Sequence, residues 1–379
     1  MGFMFYWPIL YPLMSSRGLD LHKIGLFLIF SNCITLLLEI PSGLLADRWS
    51  RKGVALASIG SLLIGTLLLS RAQVFLDFLL SAVFVSAYFA LSSGMKEAMM
   101  YDLLLEYNER PTYEKQLGRL KGISAIGNIV SSLCGGLIAA ATSFAVPFYM
   151  TAVSCVLAIP FLLRFKEPQL HKEVETSRLL KHIADLFRYL GSHKEMRWLV
   201  ITSVLAGIEF SFMSELDQFW PLALGLALAW YGPLNALLMV GIGLAEPIAA
   251  WTAKNYRRSA IIAAASIIAA VGLLIENIWI VAFSEFLLVA MATSLRVVLS
   301  GRIQDGLPSS HRSGAESAVS TIASLIFIGV TFMFSHLANT YSVFVAAWIV
   351  VAVAVLTAIG IYSSLYLRQS ATAAPPQNQ

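Results

Sequence analysis

Long apolar segments recur from end to end of this chain, each about as long as a membrane span and each followed by a short polar turn. An α-helix rises 1.5 Å per residue, so about 20 apolar residues cross the hydrocarbon core of a bilayer. Inside that core every backbone N–H and C=O must be satisfied within the structure, which leaves helices or a closed barrel. The segments are continuously apolar rather than alternating, which argues against a barrel. Hydrophobic residues are 58% of the 379 and charged residues only 13%. A water-soluble surface needs about 25% charged residues. The sequence therefore specifies an all-α polytopic membrane protein whose first partner is the lipid bilayer.

Twelve spans are predicted, at about 2–15, 24–46, 54–70, 74–99, 119–142, 145–164, 198–221, 231–253, 259–275, 278–300, 315–337 and 341–367. Span 1 starts at Met1 and is short for a bilayer, as it would be if the natural start lay upstream. Between spans 6 and 7 lies one long polar stretch. There Leu179, Ile183, Leu186, Phe187 and Leu190 recur at helical spacing among Lys181, His182 and Arg188. This pattern predicts an amphipathic helix on the inner membrane face or against the bundle. The expected organisation is a six-helix half at 1–164, a cytoplasmic linker at 165–196, a second half at 197–367 and a disordered tail at 368–379.

Lys and Arg set the orientation. With both termini inside, the outer loops hold only Arg17, Lys23 and Arg71, while Lys96 and Arg296 fall near the inner ends of spans 4 and 10. The other 21 of the 26 cations then fall on the cytoplasmic side, as the positive-inside rule requires. The net charge of +4 is thus a topology signal and not a nucleic-acid footprint. Cys33, Cys134 and Cys155 all lie in apolar segments and read as small packing residues. Nothing in the chain reads as a nucleophile–base pair, phosphate loop, cofactor site or metal site, so no enzyme activity, cofactor or metal is expected.

The turn between spans 2 and 3 carries the most specific pattern, GLLADRWSRK at residues 43–52. Glu39, Gly43 and Asp47 share one helix face. Gly43 permits close helix contact, and Arg48, Arg51 and Lys52 hold the turn inside. This pattern resembles the signature loop of the major facilitator superfamily of transporters, in its twelve-helix form. The resemblance implies two six-helix halves and a small-molecule substrate carried by alternating access, with protons or another ion as the coupling species. It also implies a gate in which Asp47 meets the start of span 11, where Arg312, Ser313 and Ser317 stand. The position between Trp49 and Arg51, usually Gly in the family, is Ser50 here. A second copy follows. With Pro41 placed over Pro247, Gly43 falls on Ala249, Arg48 on Lys254, Arg51 on Arg257 and Lys52 on Arg258, while Asp47 falls on Ala253. Internal repeats of this kind mark transporter folds.

Two further stretches resemble a drug/proton antiporter-like subgroup. EIPSGLLAD at 39–47 pairs with Ser93, Gly94, Glu97, Ala98, Tyr101 and Asp102 at the end of span 4. Glu97 and Asp102 read either as functional acids or as ordinary groups at the membrane interface. In span 5, Gly118, Gly127, Gly135 and Gly136 fall at the spacing of the family's antiporter motif, with Ser131-Ser132 in place of its Gly-Pro. The same residues also read as a plain helix-packing stripe. Among acids at membrane depth, Glu39, Glu209, Glu246 and Glu285 are candidates. Low dielectric favours a neutral carboxyl group that exchanges a proton, and Glu209 is deepest. The resulting expectation is proton-coupled efflux by a monomer in a bacterial inner or plasma membrane. Solute uptake and a non-transporting sensor or scaffold are the alternatives.

Overall fold

The computed structural model describes residues 3–48, 50–93, 95–107, 112–165, 194–307 and 312–373, with the backbone alone at 40–48, 96–98, 114, 195, 312–315 and 367–373. Among the described residues every regular element is helical. In chain order they are α1 (Leu10–Ser16), α2 (Leu21–Arg48), α3 (Arg51–Arg71), α4 (Phe75–Ser92), α5 (Met95–Glu106), α6 (Tyr113–Ala141) and α7 (Ala145–Arg164). Then come α8 (Lys194–Glu215), α9 (Phe219–Ala223), α10 (Tyr231–Ala253), α11 (Tyr256–Gly272), α12 (Ile278–Gly306), α13 (Arg312–Thr340), α14 (Val343–Ala346) and α15 (Trp348–Ala373). Short 3-10 turns precede α1 at Trp7–Ile9 and α10 at Leu228–Trp230.

Ten described helices are long and apolar enough to cross a membrane, against the twelve predicted. Two predicted spans fall below that length. Span 9 is α11, with 17 residues. Span 1 is the 3-10 turn followed by the seven residues of α1. Two other spans are divided. Span 4 stops at Ser92 because Ser93 turns to an extended ψ of 126°, and Glu97 and Tyr101 then lie on the separate helix α5. Span 7 stops at Glu215 and resumes as α9. The predicted linker helix lies outside the described residues.

The chain forms two compact units, one of Met1–Val174 with Gly225–Met239, the other of Glu175–Leu224 with Val240–Gln379. In the first, α3 packs on α4 and α7, and α2 packs on α4. Small residues set the spacing. A Cβ at Gly135 would collide with the backbone carbonyl of Phe5, one at Gly136 would meet the backbone of Gly232, and one at Gly127 would lie 2.8 Å from the Phe3 ring. The stripe on α6 thus seats the chain's first residues and the start of α10. Gly118, further along the same helix, has open space around it. Ser132, where the antiporter motif has its Pro, donates a buried 2.8 Å hydrogen bond to Asn235 Oδ1. In the second unit α8 is central, packed by α12, α13 and α15, while α11 packs on α12 and α15.

Buried hydroxyls resolve the polar problem locally. Thr66 donates to the Leu62 carbonyl, Thr202 to Trp198 and Ser364 to Gly360, each one turn back. This back-bonding lets Ser and Thr sit inside apolar helices without an unsatisfied donor. Outward faces stay apolar: Leu76, Phe161 and Ile268 are each more than 70% exposed. A surface of that kind suits lipid and not water.

Helix ends at the two basic turns are built alike. Ser50 caps α3 by accepting from Gly53 N at 3.0 Å, and Asn255 caps α11 by accepting from Arg257 N at 2.9 Å. Aligning α2 and α3 with α10 and α11 by these ends shifts the repeat by one residue from the register read in the sequence. Lys52 Nζ donates to the Leu163 carbonyl at the end of α7, at 2.6 Å. Arg258 donates to the Trp251 carbonyl at 2.8 Å and stacks on the Trp251 ring. Both cations cover carbonyls that their helices leave open.

A polar chamber in the C-terminal unit

Three helices of the second unit turn polar stripes toward one cavity of about 510 Å³. From α8 come Ser203, Gly207, Phe210 and Ser211. From α12 come Thr293, Arg296, Val297, Ser300 and Gln304. From α13 come Glu316, Val319, Ser320, Ala323 and Ser324. Each set recurs at three- and four-residue intervals, which places it on one helix face. Gly207 brings α8 close to α13, since a Cβ there would lie 3.2 Å from Ala323 Cβ.

Charge in this chamber is concentrated at two points. The Arg296 guanidinium lies over the Phe210 ring, 4.4 Å from its centroid. Such a cation–π contact contributes roughly 0.5–2 kcal/mol. An arginine inside a membrane span costs up to about 2.5–3.5 kcal/mol on insertion scales, and such residues usually mark a pathway or a site. Glu316 is the second charge. Its Oε1 accepts from Ser300 at 3.5 Å and its Oε2 from Gln304 at 3.2 Å, while Gln304 also donates to Ser300 at 3.4 Å. Arg296 and Glu316 influence each other electrostatically without forming an ion pair.

Arg296 was read in the sequence as a cation near the end of span 10. The helix α12 runs on past that predicted limit to Gly306, so Arg296 stands about 15 Å from the helix end. The signal that would have revealed the chamber is the recurrence of Ser, Thr and charged residues at helical spacing on three spans.

The acids chosen from sequence stand elsewhere. Glu209 is wholly buried on α8, and neither carboxyl oxygen has a hydrogen bond of good geometry among the described residues. It adjoins Thr357 of α15, whose hydroxyl donates to its own Val353 carbonyl. Glu209 therefore lies in the α8–α15 contact and does not line the chamber. Glu285 is 2% exposed on α12, with Oε1 unpartnered among the described residues, and lies near Asp217, an equally buried acid absent from the sequence-based candidates. Glu39 is exposed and accepts from Ser93 at 3.5 Å. Asp102 forms an ion pair with Arg51, joining α5 to the first residue of α3. Two residues singled out for different reasons are thus brought together. Gly43 lies on the described backbone of α2, while the side chains of Asp47, Arg48, Glu97 and Arg312 lie outside the described residues, as does the expected gate contact.

Membrane-length helices around a charged chamber define a polytopic membrane protein. The family model of the Major Facilitator Superfamily matches residues 1–239, and the chain belongs to that superfamily. No curated protein matches it in sequence. Solved structures share its fold at low identity. The nucleoside transporter NupG is similar over 96% of this chain and 97% of its own, with 13% identity and a TM-score of 0.71. A bacterial homolog of the human lysosomal transporter Spinster, in an inward-facing and occupied conformation, covers 96% and 94%, with 14% identity and a TM-score of 0.75. The E. coli fucose:proton symporter FucP covers 95% and 96%, with 12% identity and a TM-score of 0.57.

Proposed function

We propose that this protein is a secondary active transporter that exports a small molecule by alternating access, in exchange for protons. The observation that carries the reading is the chamber itself, a cavity of about 510 Å³ lined by Arg296, Glu316 and hydroxyls inside helices otherwise built for lipid. Scaffolding alone gives no reason to hold such groups at membrane depth. The glycine stripe of α6 supports exchange, through its resemblance to the antiporter motif. Glu209 is the proposed proton-carrying residue, because a carboxyl group without a firm hydrogen bond exchanges its proton at the least structural cost. Both termini cytoplasmic, a bacterial plasma membrane and a monomeric working unit belong to the same reading.

The test is proton flux in proteoliposomes with an imposed pH gradient, offering lipophilic cations, sugars, amino acids and organic anions to wild type and to Glu209→Gln. Substrate-dependent proton flux opposite in direction to the substrate, absent in Glu209→Gln, is the expected result. Flux in the same direction as the substrate overturns export in favour of uptake by symport. Unchanged coupling in Glu209→Gln removes that residue from the mechanism.

A further inference from the structure

Resting on the transporter reading, we infer that the chamber takes a monovalent organic anion, with its oxyanion head on Arg296 and its apolar body along Phe210, Val297 and Val319. The guanidinium has no hydrogen-bond acceptor among the described residues, and the π-face of Phe210 is its one charge-compensating contact there. Its planar fork of N–H donors borders an open cavity and matches the geometry of a carboxylate. An arginine on a membrane-length helix calls for a counter-charge. Glu316 does not supply it by direct contact. Its two oxygens are engaged by Ser300 and Gln304, one and two turns beyond Arg296 on α12. The cavity is therefore positive at the Phe210 end and negative at the Gln304 end. One anionic group is stabilised at the first end, and a second would be repelled at the other. A cavity of about 510 Å³ accommodates a small amphipathic molecule of this charge.

The experiment uses full-length purified protein in detergent, with ligand binding read from thermal stabilisation. The probes are charge-matched pairs: benzoate and benzamide, 2-naphthoate and 2-naphthamide, hexanoate and hexanamide, with terephthalate as a dianion. At least one monoanion stabilises wild type while its amide does not, and its apparent Kd rises at least tenfold in Arg296→Gln. Arg296→Lys keeps the charge and retains part of the affinity, and Phe210→Leu weakens binding several-fold. Monodisperse elution of each variant confirms folding, and the lysine and leucine variants test the site if Arg296→Gln does not fold. The inference is overturned if no anion binds better than its amide, if terephthalate binds best, or if the Arg296 variants bind as wild type does. Counterflow in proteoliposomes separates this from the underlying reading. Arginine-dependent binding without counterflow overturns transport but not the anion site. Counterflow of a neutral solute that is indifferent to Arg296→Gln overturns the anion site alone.

Discussion

The Arg51–Asp102 pair offers a sharp test of how the basic turn is held. Arg51 is the first residue of α3, where the helix dipole disfavours a cation, and Asp102 lies in the last part of α5. At 4 Å and an effective dielectric of 20, two unit charges attract by about 4 kcal/mol. Partial desolvation and the fixing of a long arginine side chain, about 2 kcal/mol, offset much of this. The side chains are 21% and 14% exposed. The pair thus falls between surface pairs, which contribute about 0.2–1 kcal/mol, and buried pairs, whose disruption costs about 3–5 kcal/mol. A coupling of about 1–2 kcal/mol is expected from a double-mutant cycle of Arg51→Gln and Asp102→Asn, read by thermal unfolding in detergent. For a unit of this size that is about 2–4 °C per kcal/mol. The exchange Arg51→Asp with Asp102→Arg should then recover most of the loss, because it also places an acid at the start of α3 and a cation near the end of α5. Lys52 and Arg48 keep the turn cationic in that variant. A swapped protein as unstable as the two single variants combined would refute the electrostatic account.

Two further expectations follow from the helix ends and the glycines. Ser50→Ala should lower stability by about 1 kcal/mol through loss of the α3 cap, and Ser50→Gly by only a few tenths, measured by the same unfolding assay. Gly135→Ala should cost about 1–3 kcal/mol, because its Cβ meets the Phe5 carbonyl, whereas Gly118→Ala on the same helix should be neutral or stabilising by up to about 1 kcal/mol. Equal effects at the two glycines would show that the α6 stripe does not set the packing distance.

Membrane spans were legible in the sequence because hydropathy and helix length are local properties, and lipid enforces both. Span 8 at 231–253 and span 6 at 145–164 coincide with α10 and α7. The turn at 48–52 was legible for a similar reason, since a cluster of cations marks the end of a membrane span by itself. Breaks inside apolar runs were not. Ser92-Ser93-Gly94 and the polar residues Glu215, Asp217 and Gln218 interrupt the apolar runs, but span length alone carries a predicted helix straight through them, and the separation of α4 from α5 and of α8 from α9 appears only in the fold.

Side-chain direction was the other quantity that sequence did not supply. Glu209 and Phe210 are adjacent, yet one is buried toward α15 and the other lines the chamber, because successive helical residues point about 100° apart. Depth alone selected Glu209, and only the packing of α8 against α12, α13 and α15 distinguishes a side chain buried in a helix contact from one facing open space. Arg296 likewise reads from sequence as one more cation of the inner face, and only the packing of α12 against α8 and α13 turns it to the cavity and to the Phe210 ring. The amino-acid sequence by itself thus determined that this chain is a set of membrane-length helices joined by short, often basic turns, since each helix answers to the bilayer alone. Which polar residues share one chamber, and that Arg51 meets Asp102, was decided by tertiary structure, because both depend on how distant helices turn their faces to one another.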